Sequence, residues 1–217
     1  KNDKIMINLL SHSVEFRNGE SGLHVLHMRH LTELFLSELV QQTDRYHLDA
    51  ACRDRIVMAS ALHDIGKIAI SETILNKPGR LTPEEFAVVK THTTIGAKML
   101  DRLENYREEP LVHTAYEICR WHHERWDGGG YPDGLKGDAI PISAQIVSLA
   151  DVYDALVSPR AYKRAVPHPQ AVQMILNGES GAFNPLLLDC LRAVADQIPR
   201  LQYDQRAVSA LGVHDAE

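Results

Sequence analysis

The sequence predicts an all-α fold, a helical bundle of about seven to eight helices. Apolar residues recur at helical spacing along most of the chain, as in Leu23, Leu26, Leu31, Leu34 and Leu39. The alternating apolar and polar pattern of half-buried strands is missing. With 217 residues, 44% of them hydrophobic and 24% charged, the chain is long enough to bury one full core.

Capping and turn residues indicate where the predicted helices begin and end. Thr82-Pro83-Glu84-Glu85 supplies an N-cap, a proline in the first turn and a carboxylate at the third position after the cap. Asn184-Pro185 is a second start of this kind, and Asn177-Gly178 is a stop. The predicted helices cover residues 5–16, 23–42, 48–63, 83–103, 110–124, 141–157, 168–177 and 185–197, with irregular stretches at 66–81 and 126–140.

Composition excludes several classes of protein. No stretch approaches the roughly 18 uninterrupted apolar residues of a membrane span, and the N-terminus lacks the apolar core of a signal peptide, so we predict a cytoplasmic chain without a span. The three cysteines (Cys52, Cys119 and Cys190) lie far apart, which argues against a disulfide framework or a zinc finger. The net charge of −6 disfavours nucleic acid as a partner, whereas a small anionic ligand would need local positive charge from metals or a few basic residues.

We divide the chain into three segments. Residues 1–18 are a linker or dimerisation helix, residues 19–200 the catalytic domain and residues 201–217 a C-terminal tail. The apolar helix near 5–16 would lead to an upstream receiver or sensor domain, or would pair with a second copy in a homodimer. The sequence leaves both interpretations open.

Histidines and aspartates at predicted helix ends form the candidate site. A carboxylate has two oxygens and can bridge two metals, so Asp64 is the natural bridging ligand. Adjacent helical residues point about 100° apart, so two neighbouring histidines suit two different metals. Such a cluster beside a triple glycine favours a multinuclear metal site of a hydrolase over independent structural roles. The cluster consists of His63, Asp64, His92, His122, His123 and Asp151.

Two pairs of residues lie on single helix faces near this cluster. Asp151 and Asp154 are three positions apart on the predicted helix 141–157, and only one of them need bind metal. We expect the other, Asp154, to contact the substrate. Glu20 and His24 form a similar pair four positions apart, although Glu20 could instead stabilise a helix N-terminus.

The cluster suits phosphodiester hydrolysis. Phosphodiesters resist attack because their anionic oxygens repel a nucleophile, and two metals about 3.5–4 Å apart neutralise that charge and lower the pKa of water toward ~7. Asp64, Asp151 and Lys67 are the predicted catalytic residues. The two aspartates would hold the metals, and Lys67, at i+4 from His63, would touch a phosphate or protonate the leaving oxygen.

Basic and aromatic residues near the cluster are candidates for ligand contacts. Arg160 has the geometry to clamp a phosphate with two hydrogen bonds, and Lys163 would add a point charge beside it. Tyr131, in a loop flanked by Gly and Pro, would stack on or hydrogen-bond a guanine. The alternatives are solvated surface charges for the basic residues and a ring packed onto the core for Tyr131.

These motifs resemble the HD-GYP family of the HD-domain phosphohydrolases. The resemblance covers about Glu20 to Pro185 and rests on His63-Asp64-Ile65-Gly66-Lys67, on the segment from His122 to Pro132 (HHERWDGGGYP), and on Ala150-Asp151-Val152-Tyr153-Asp154-Ala155-Leu156. It implies an all-helical HD-domain fold with a Gly-rich GYP loop. It also implies hydrolysis of cyclic di-GMP to linear pGpG, GMP or both, by two or three divalent metal ions. Iron or manganese is favoured, with zinc or nickel as alternatives.

The resemblance also implies roles position by position. The implied metal ligands are His24, His63, Asp64, His92, His122, His123 and Asp151, with Glu20 supporting a third metal. The implied nucleotide contacts are Lys67, Tyr131, Arg160 and Lys163. Two departures from the family pattern, Asn184 and Ala161, remove none of these ligands.

Two other functions stay open. One is a general HD phosphohydrolase of nucleotides, which Tyr131-Pro132 and the segment 160–163 disfavour. The other is a cyclic dinucleotide sensor or interaction module without turnover. The complete ligand set disfavours this second alternative.

Overall fold

The computed structural model describes residues 2–17, 23–158 and 165–199, and within these ranges the chain forms helices and turns without strands. The α-helices are α1 (Asn2–Arg17), α2 (Leu23–Gln42), α3 (Ala50–Ser60), α4 (Glu72–Leu75), α5 (Pro83–Lys90), α6 (His92–Asp101), α7 (Pro110–Trp121), α8 (Ile142–Val157), α9 (His168–Leu176) and α10 (Pro185–Val194). One of the short 3-10 turns, Ile65–Ala69, lies in the functional region. The predicted all-α fold is confirmed.

Four predicted helices end earlier than their apolar spacing suggests. The helices predicted over 110–124 and 185–197 end at Trp121 and Val194. The helix predicted over 48–63 ends at Ser60, and the helix predicted over 83–103 is interrupted at Thr91 and becomes α5 and α6. The Ser60 and Thr91 hydroxyls each donate to the carbonyl three residues earlier, at 2.8 and 2.6 Å. Such side-chain hydrogen bonds compete with the helical backbone pattern, which explains why periodicity alone misplaced the ends at Ser60 and Thr91.

Helix α8 runs through the centre of the bundle. Its residues Ile146, Leu149 and Tyr153 are fully buried, and so is Phe35 on α2. Around it, α2 packs against α3, α8 and α10, while α7 packs against α3, α6 and α8. This packing directs the C-terminal ends of α3 and α7 and the N-terminal end of α6 toward one region.

Helix α1 packs against α2 and the 65–69 turn. Its Ser11 hydroxyl donates to the carbonyl of Ala61 at 2.6 Å, and Val14 is buried. The predicted boundary near residue 18 and the predicted tail 201–217 lie outside the described residues, so the domain division stays a prediction. No helix in the described part of the chain has the length and apolar content to cross a membrane.

Candidate metal centre

A close backbone contact positions Asp64 beside α6. A Cβ atom added to Gly66 would lie 1.9 Å from the carbonyl oxygen of His92 and 2.6 Å from the amide nitrogen of Gly96. Only glycine allows this approach. It brings the turn that follows Asp64 against the first turn of α6. The sequence shows Gly66 next to the His-Asp pair but gives no local signal that another backbone passes so near.

Asp64 lies between two groups of imidazoles. Its Oδ1 is 3.2 Å from Nε2 of His92, and its Oδ2 is 3.3 Å from Nε2 of His63. Ligand atoms within 4.8 Å of one another define a four-ligand group (Asp64, His92, His122, His123) and a three-ligand group (His24, His63, Asp64). Asp64 belongs to both groups, as a bridging carboxylate would.

Hydrogen bonds to backbone carbonyls determine which ring nitrogen faces the centre. The Nδ1 atoms of His63, His92 and His122 lie 2.8, 2.7 and 2.9 Å from the carbonyl oxygens of Ser60, Val89 and Ile118. A carbonyl only accepts, so each Nδ1 donates its hydrogen and each neutral ring keeps a lone pair on Nε2. Nε2 is the nitrogen that faces Asp64 and the other imidazoles.

The donor atoms fit divalent cations. The Nε2 atoms of His92 and His122 are 3.4 Å apart, and so are those of His24 and His63. Two lone pairs this close repel unless a positive charge lies between them. Asp64 Oδ1 is buried and has no hydrogen-bond donor. Imidazole nitrogens with a shared carboxylate suit iron, manganese, zinc or nickel, and this donor set does not by itself select among them.

The charges of the buried groups also favour positive charge near Asp64 and its histidines. Burial lowers the pKa of His63, but the charges of Asp64 and Asp151 outweigh this effect and raise it to about 9. Burial and the charges of His63 and His92 lower the pKa of His122 to about 3. The two carboxylates therefore favour positive charge at His63, which its own second proton or a bound metal would supply, and they leave His122 neutral, as a metal ligand must be.

Asp151 lies outside both ligand groups, yet it acts on them. Burial raises the pKa of its carboxyl, and the neighbouring His63 and His24 reverse this effect and hold the pKa below its usual range. Its predicted role as a metal ligand stays a prediction, supported by this electrostatic proximity.

Asp154 contacts histidines rather than an open site. It is 1% exposed, with Oδ2 at 2.7 Å from Nδ1 of His24 and Oδ1 at 2.9 Å from Nδ1 of His27. We predicted that Asp154 contacts the substrate. The structure instead makes it the residue that orients His24, because i+3 spacing on α8 places it one turn away from Asp151 and toward α2. His27 was not assigned a function, and its role here emerges only from the packing of α2 on α8.

The two neighbouring histidines join the same ligand group. Helix α7 ends at Trp121, so the helical angle of about 100° no longer separates His122 from His123. The chain turns at this point, and the two ring centroids are 4.0 Å apart. The prediction that they suit two different metals is therefore corrected: with Asp64 and His92 they form one candidate position.

Glu124 holds the glycine-rich loop. Its buried carboxylate accepts from the amides of Asp133, Gly134 and Leu135 at 2.7, 3.1 and 3.0 Å. A Cβ on Gly130 would lie 2.4 Å from the Arg125 amide nitrogen, so the loop folds tightly over its own chain. No role is predicted for Glu124 from the sequence. Its position directly after two candidate ligands was the available signal.

The remaining predicted residues are divided between the site and the undescribed segments. Lys67 Nζ lies 2.6 Å from Asp64 Oδ2, reached through the 3-10 turn rather than through the predicted helical turn from His63. Tyr131 stacks on His123, with ring centroids 4.7 Å apart and an interplanar angle of 27°. Glu20, Arg160 and Lys163 lie outside the described residues.

Comparison with known proteins agrees with this fold. The HD domain family profile matches residues 4–185, and the chain belongs to that family. This match confirms the HD-domain part of the predicted resemblance. The structure of Bd1817, an HDG"Y"P protein from Bdellovibrio bacteriovorus, matches 80% of this chain and 51% of its own, with a TM-score of 0.59 and 21% identity. The structure of a cyclic GMP-AMP specific phosphodiesterase of V. cholerae matches 98% of this chain and 51% of its own, with a TM-score of 0.60 and 18% identity. At these identities both show the fold alone.

Relatives found by sequence comparison have a higher sequence identity to this chain than these two structures do. A probable cyclic di-GMP phosphodiesterase of Vibrio cholerae is 42% identical over 184 residues, which cover 83% of this chain and 42% of the relative. The cyclic di-GMP phosphodiesterase response regulator RpfG of Xanthomonas campestris is 37% identical over 195 residues, 88% of this chain and 49% of the relative. A 3'3'-cGAMP-specific phosphodiesterase of Vibrio cholerae is 38% identical over 188 residues, which cover 87% of this chain and 34% of the relative. The chain spans half or less of the length of these relatives.

Proposed function

We propose that this chain is a metal-dependent phosphodiesterase that hydrolyses cyclic di-GMP to linear pGpG, GMP or both. The observation that carries the proposal is the placement of Asp64 between two groups of imidazoles, with the Nε2 atoms of His63, His92 and His122 facing it. The names of the relatives support cyclic di-GMP as the substrate.

The metal ions would be held by the two ligand groups. The four-ligand group and the three-ligand group share Asp64, and we propose Asp151 as a further ligand beside them and Glu20 as support for a third ion. When bound, divalent ions would neutralise the phosphate and activate water at neutral pH. We propose iron or manganese, with zinc and nickel as alternatives.

The residues of the chain itself would bind and orient the nucleotide. The Lys67 ammonium, 2.6 Å from Asp64, adds positive charge at the centre, where we propose that it contacts a phosphate and gives a proton to the departing ribose oxygen. Tyr131 extends an aromatic face outward from His123. We propose that Arg160 and Lys163 bind the second phosphate as charge-assisted partners.

The context of the domain is also a proposal. We propose a cytoplasmic location and a regulatory domain, receiver or sensor, upstream of α1. A relative whose name includes "response regulator" supports a receiver. Residues 1–18 would then form the linker or dimerisation helix, residues 19–200 the catalytic domain and residues 201–217 a tail.

Product analysis tests the proposal. The protein, loaded anaerobically with Fe(II), Mn(II), Zn(II) or Ni(II) in turn, is incubated with cyclic di-GMP and 3'3'-cGAMP, and the products are separated by chromatography. We expect pGpG or GMP from cyclic di-GMP, and a drop of about 10³-fold or more in rate for Asp64→Ala, because the shared ligand is lost.

Three outcomes would change the proposal. Full activity of Asp64→Ala would contradict the metal mechanism. Faster hydrolysis of 3'3'-cGAMP would assign the hybrid dinucleotide as the substrate, in line with another relative's name. Saturable binding without product under every metal would indicate a sensor.

A further inference from the structure

An exposed phenylalanine extends the aromatic surface of the metal centre. Phe86 on α5 is 47% exposed, and its ring meets Tyr131 edge-on, with centroids 6.4 Å apart and an interplanar angle of 83°. Tyr131 in turn stacks on His123, a member of the four-ligand group. Aromatic rings therefore continue from the candidate metal ligands out to solvent. This continuity distinguishes Phe86 from an ordinary exposed apolar residue.

A lysine lies between the two outer rings. Lys90 follows Phe86 by one helical turn on α5, and its Nζ is 5.4 Å from the Phe86 centroid and 5.6 Å from the Tyr131 centroid. Both distances are within the range of a cation–π contact. The ammonium is thus held within reach of both rings.

Helix α5 is fixed before any ligand arrives. Thr82 and Glu85 form a reciprocal capping box at its first turn. Lys77 adds an ion pair to Glu85 at 2.7 Å. Since this helix is anchored at its start and leads into His92 at its end, Phe86 and Lys90 are presented in a defined geometry, which lowers the entropy lost on binding.

We infer that Phe86, Tyr131 and Lys90 form the binding site for one guanine base of the nucleotide. The inference rests on the proposed function. Nucleic-acid bases stack on aromatic side chains, and a base joined to a phosphate at the metal centre would lie over rings that begin at His123. Guanine presents two adjacent acceptors, O6 and N7, which suit a lysine ammonium, whereas adenine presents an N6 donor beside N7. The two rings therefore bind the base by stacking, and Lys90 selects guanine over adenine by charge.

Stacking of the base on Phe86 is tested with the metal-loaded protein. The measured quantity is the KM for cyclic di-GMP divided by the KM for bis-p-nitrophenyl phosphate, a phosphodiester without bases. We expect Phe86→Ala to raise this ratio by about 5- to 150-fold, the range that corresponds to loss of one stacked base. Phe86→Tyr, which keeps a ring, should restore it. Val88→Ala is the matched control, because Val88 is an exposed apolar residue on another face of the same helix, 42% exposed.

The selectivity for guanine is tested by removing the charge of Lys90. Glutamine pairs with the N6 and N7 edge of adenine, so Lys90→Gln should shift the ratio of kcat/KM values for cyclic di-AMP and cyclic di-GMP toward the adenine substrate by about tenfold. An unchanged ratio in Lys90→Gln, or a Phe86→Ala ratio equal to that of Val88→Ala, would overturn the assignment.

Equilibrium binding separates this inference from the proposed function. The dissociation constant of a slowly hydrolysed phosphorothioate analogue of cyclic di-GMP is measured for the same variants. If the wild-type protein turns over no cyclic dinucleotide, the proposed function fails. A higher dissociation constant in Phe86→Ala and Lys90→Gln, but not in Val88→Ala, would then still support the guanine site, and equal constants in all variants would reject it.

Discussion

The two candidate metal positions share Asp64 but are built differently. In the four-ligand group, His92 and His122 are each oriented by a backbone carbonyl, whereas in the three-ligand group His24 is oriented by the Asp154 carboxylate. A carboxylate partner makes an imidazole more basic than a carbonyl partner does. The four-ligand group also has one more donor among the described residues. In the three-ligand group His63 is also oriented by a carbonyl, that of Ser60. The four-ligand position therefore depends mainly on backbone geometry, whereas the three-ligand position depends in addition on a side-chain network between α2 and α8.

The largest effect is expected for a variant that displaces Asp64, the ligand that both positions share. Gly66→Ala would force a methyl group into the backbone of α6 and move Asp64 away from His92. We expect both metal positions to be lost and the free energy of unfolding to fall by at least about 2 kcal/mol, because backbone cannot yield as a flexible side chain can. Metal analysis and urea denaturation measure the two effects.

Gly129→Ala is the control for this variant. A Cβ there meets only the Asp127 side chain, at 3.2 Å, on an exposed part of the loop. If Gly66→Ala retained its metal content as this control does, the close backbone contact would not be what positions Asp64.

A smaller effect is expected when one histidine is removed, and it should differ between the two positions. His24→Ala leaves the three-ligand group with two donors among the described residues, whereas His122→Ala leaves the four-ligand group with three. We therefore expect His24→Ala to lose about one ion per chain at limiting metal, and His122→Ala to keep its ions with reduced affinity. Metal content after dialysis is the measurement, with the exposed His113→Ala as the control. Equal losses in both variants would remove the proposed difference between the positions.

The smallest effect tests the carboxylate that orients His24. Asp154→Asn keeps the size of the side chain but removes the negative charge that faces His24 and His27. We expect metal affinity at the three-ligand position to fall by about 10- to 100-fold, as is usual when the hydrogen-bond partner of a ligand is changed. Competition with a chelator measures this affinity. Asp101→Asn, at an exposed aspartate, should leave it at the wild-type value.

Several features of the site were accessible to sequence reasoning because they are local. Histidines and aspartates at the ends of apolar helices identified His63, Asp64, His92, His122 and His123, and all five belong to the described ligand groups. Apolar spacing gave the helical class. Periodicity failed at Ser60 and Thr91, because it does not register a hydroxyl that bonds back to the helix.

Other features depended on contacts between residues far apart in the chain. His24 and Asp154 are 130 positions apart, so no local pattern indicates that one orients the other. The same holds for Phe86 beside Tyr131 and for Gly66 against the carbonyl of His92. The close approach of two backbones leaves no trace in either segment beyond a glycine, which has many other uses.

The helical class, the residue types of the candidate metal centre and the family all follow from the amino-acid sequence, because propensity, capping and ligand chemistry are properties of short segments. The grouping of the ligands, the hydrogen bond from His24 to Asp154 and the outward continuation of the site by an exposed ring depend instead on tertiary packing. Those arrangements follow from how α2, α5, α6, α7 and α8 pack, and the packing is fixed by the core as a whole.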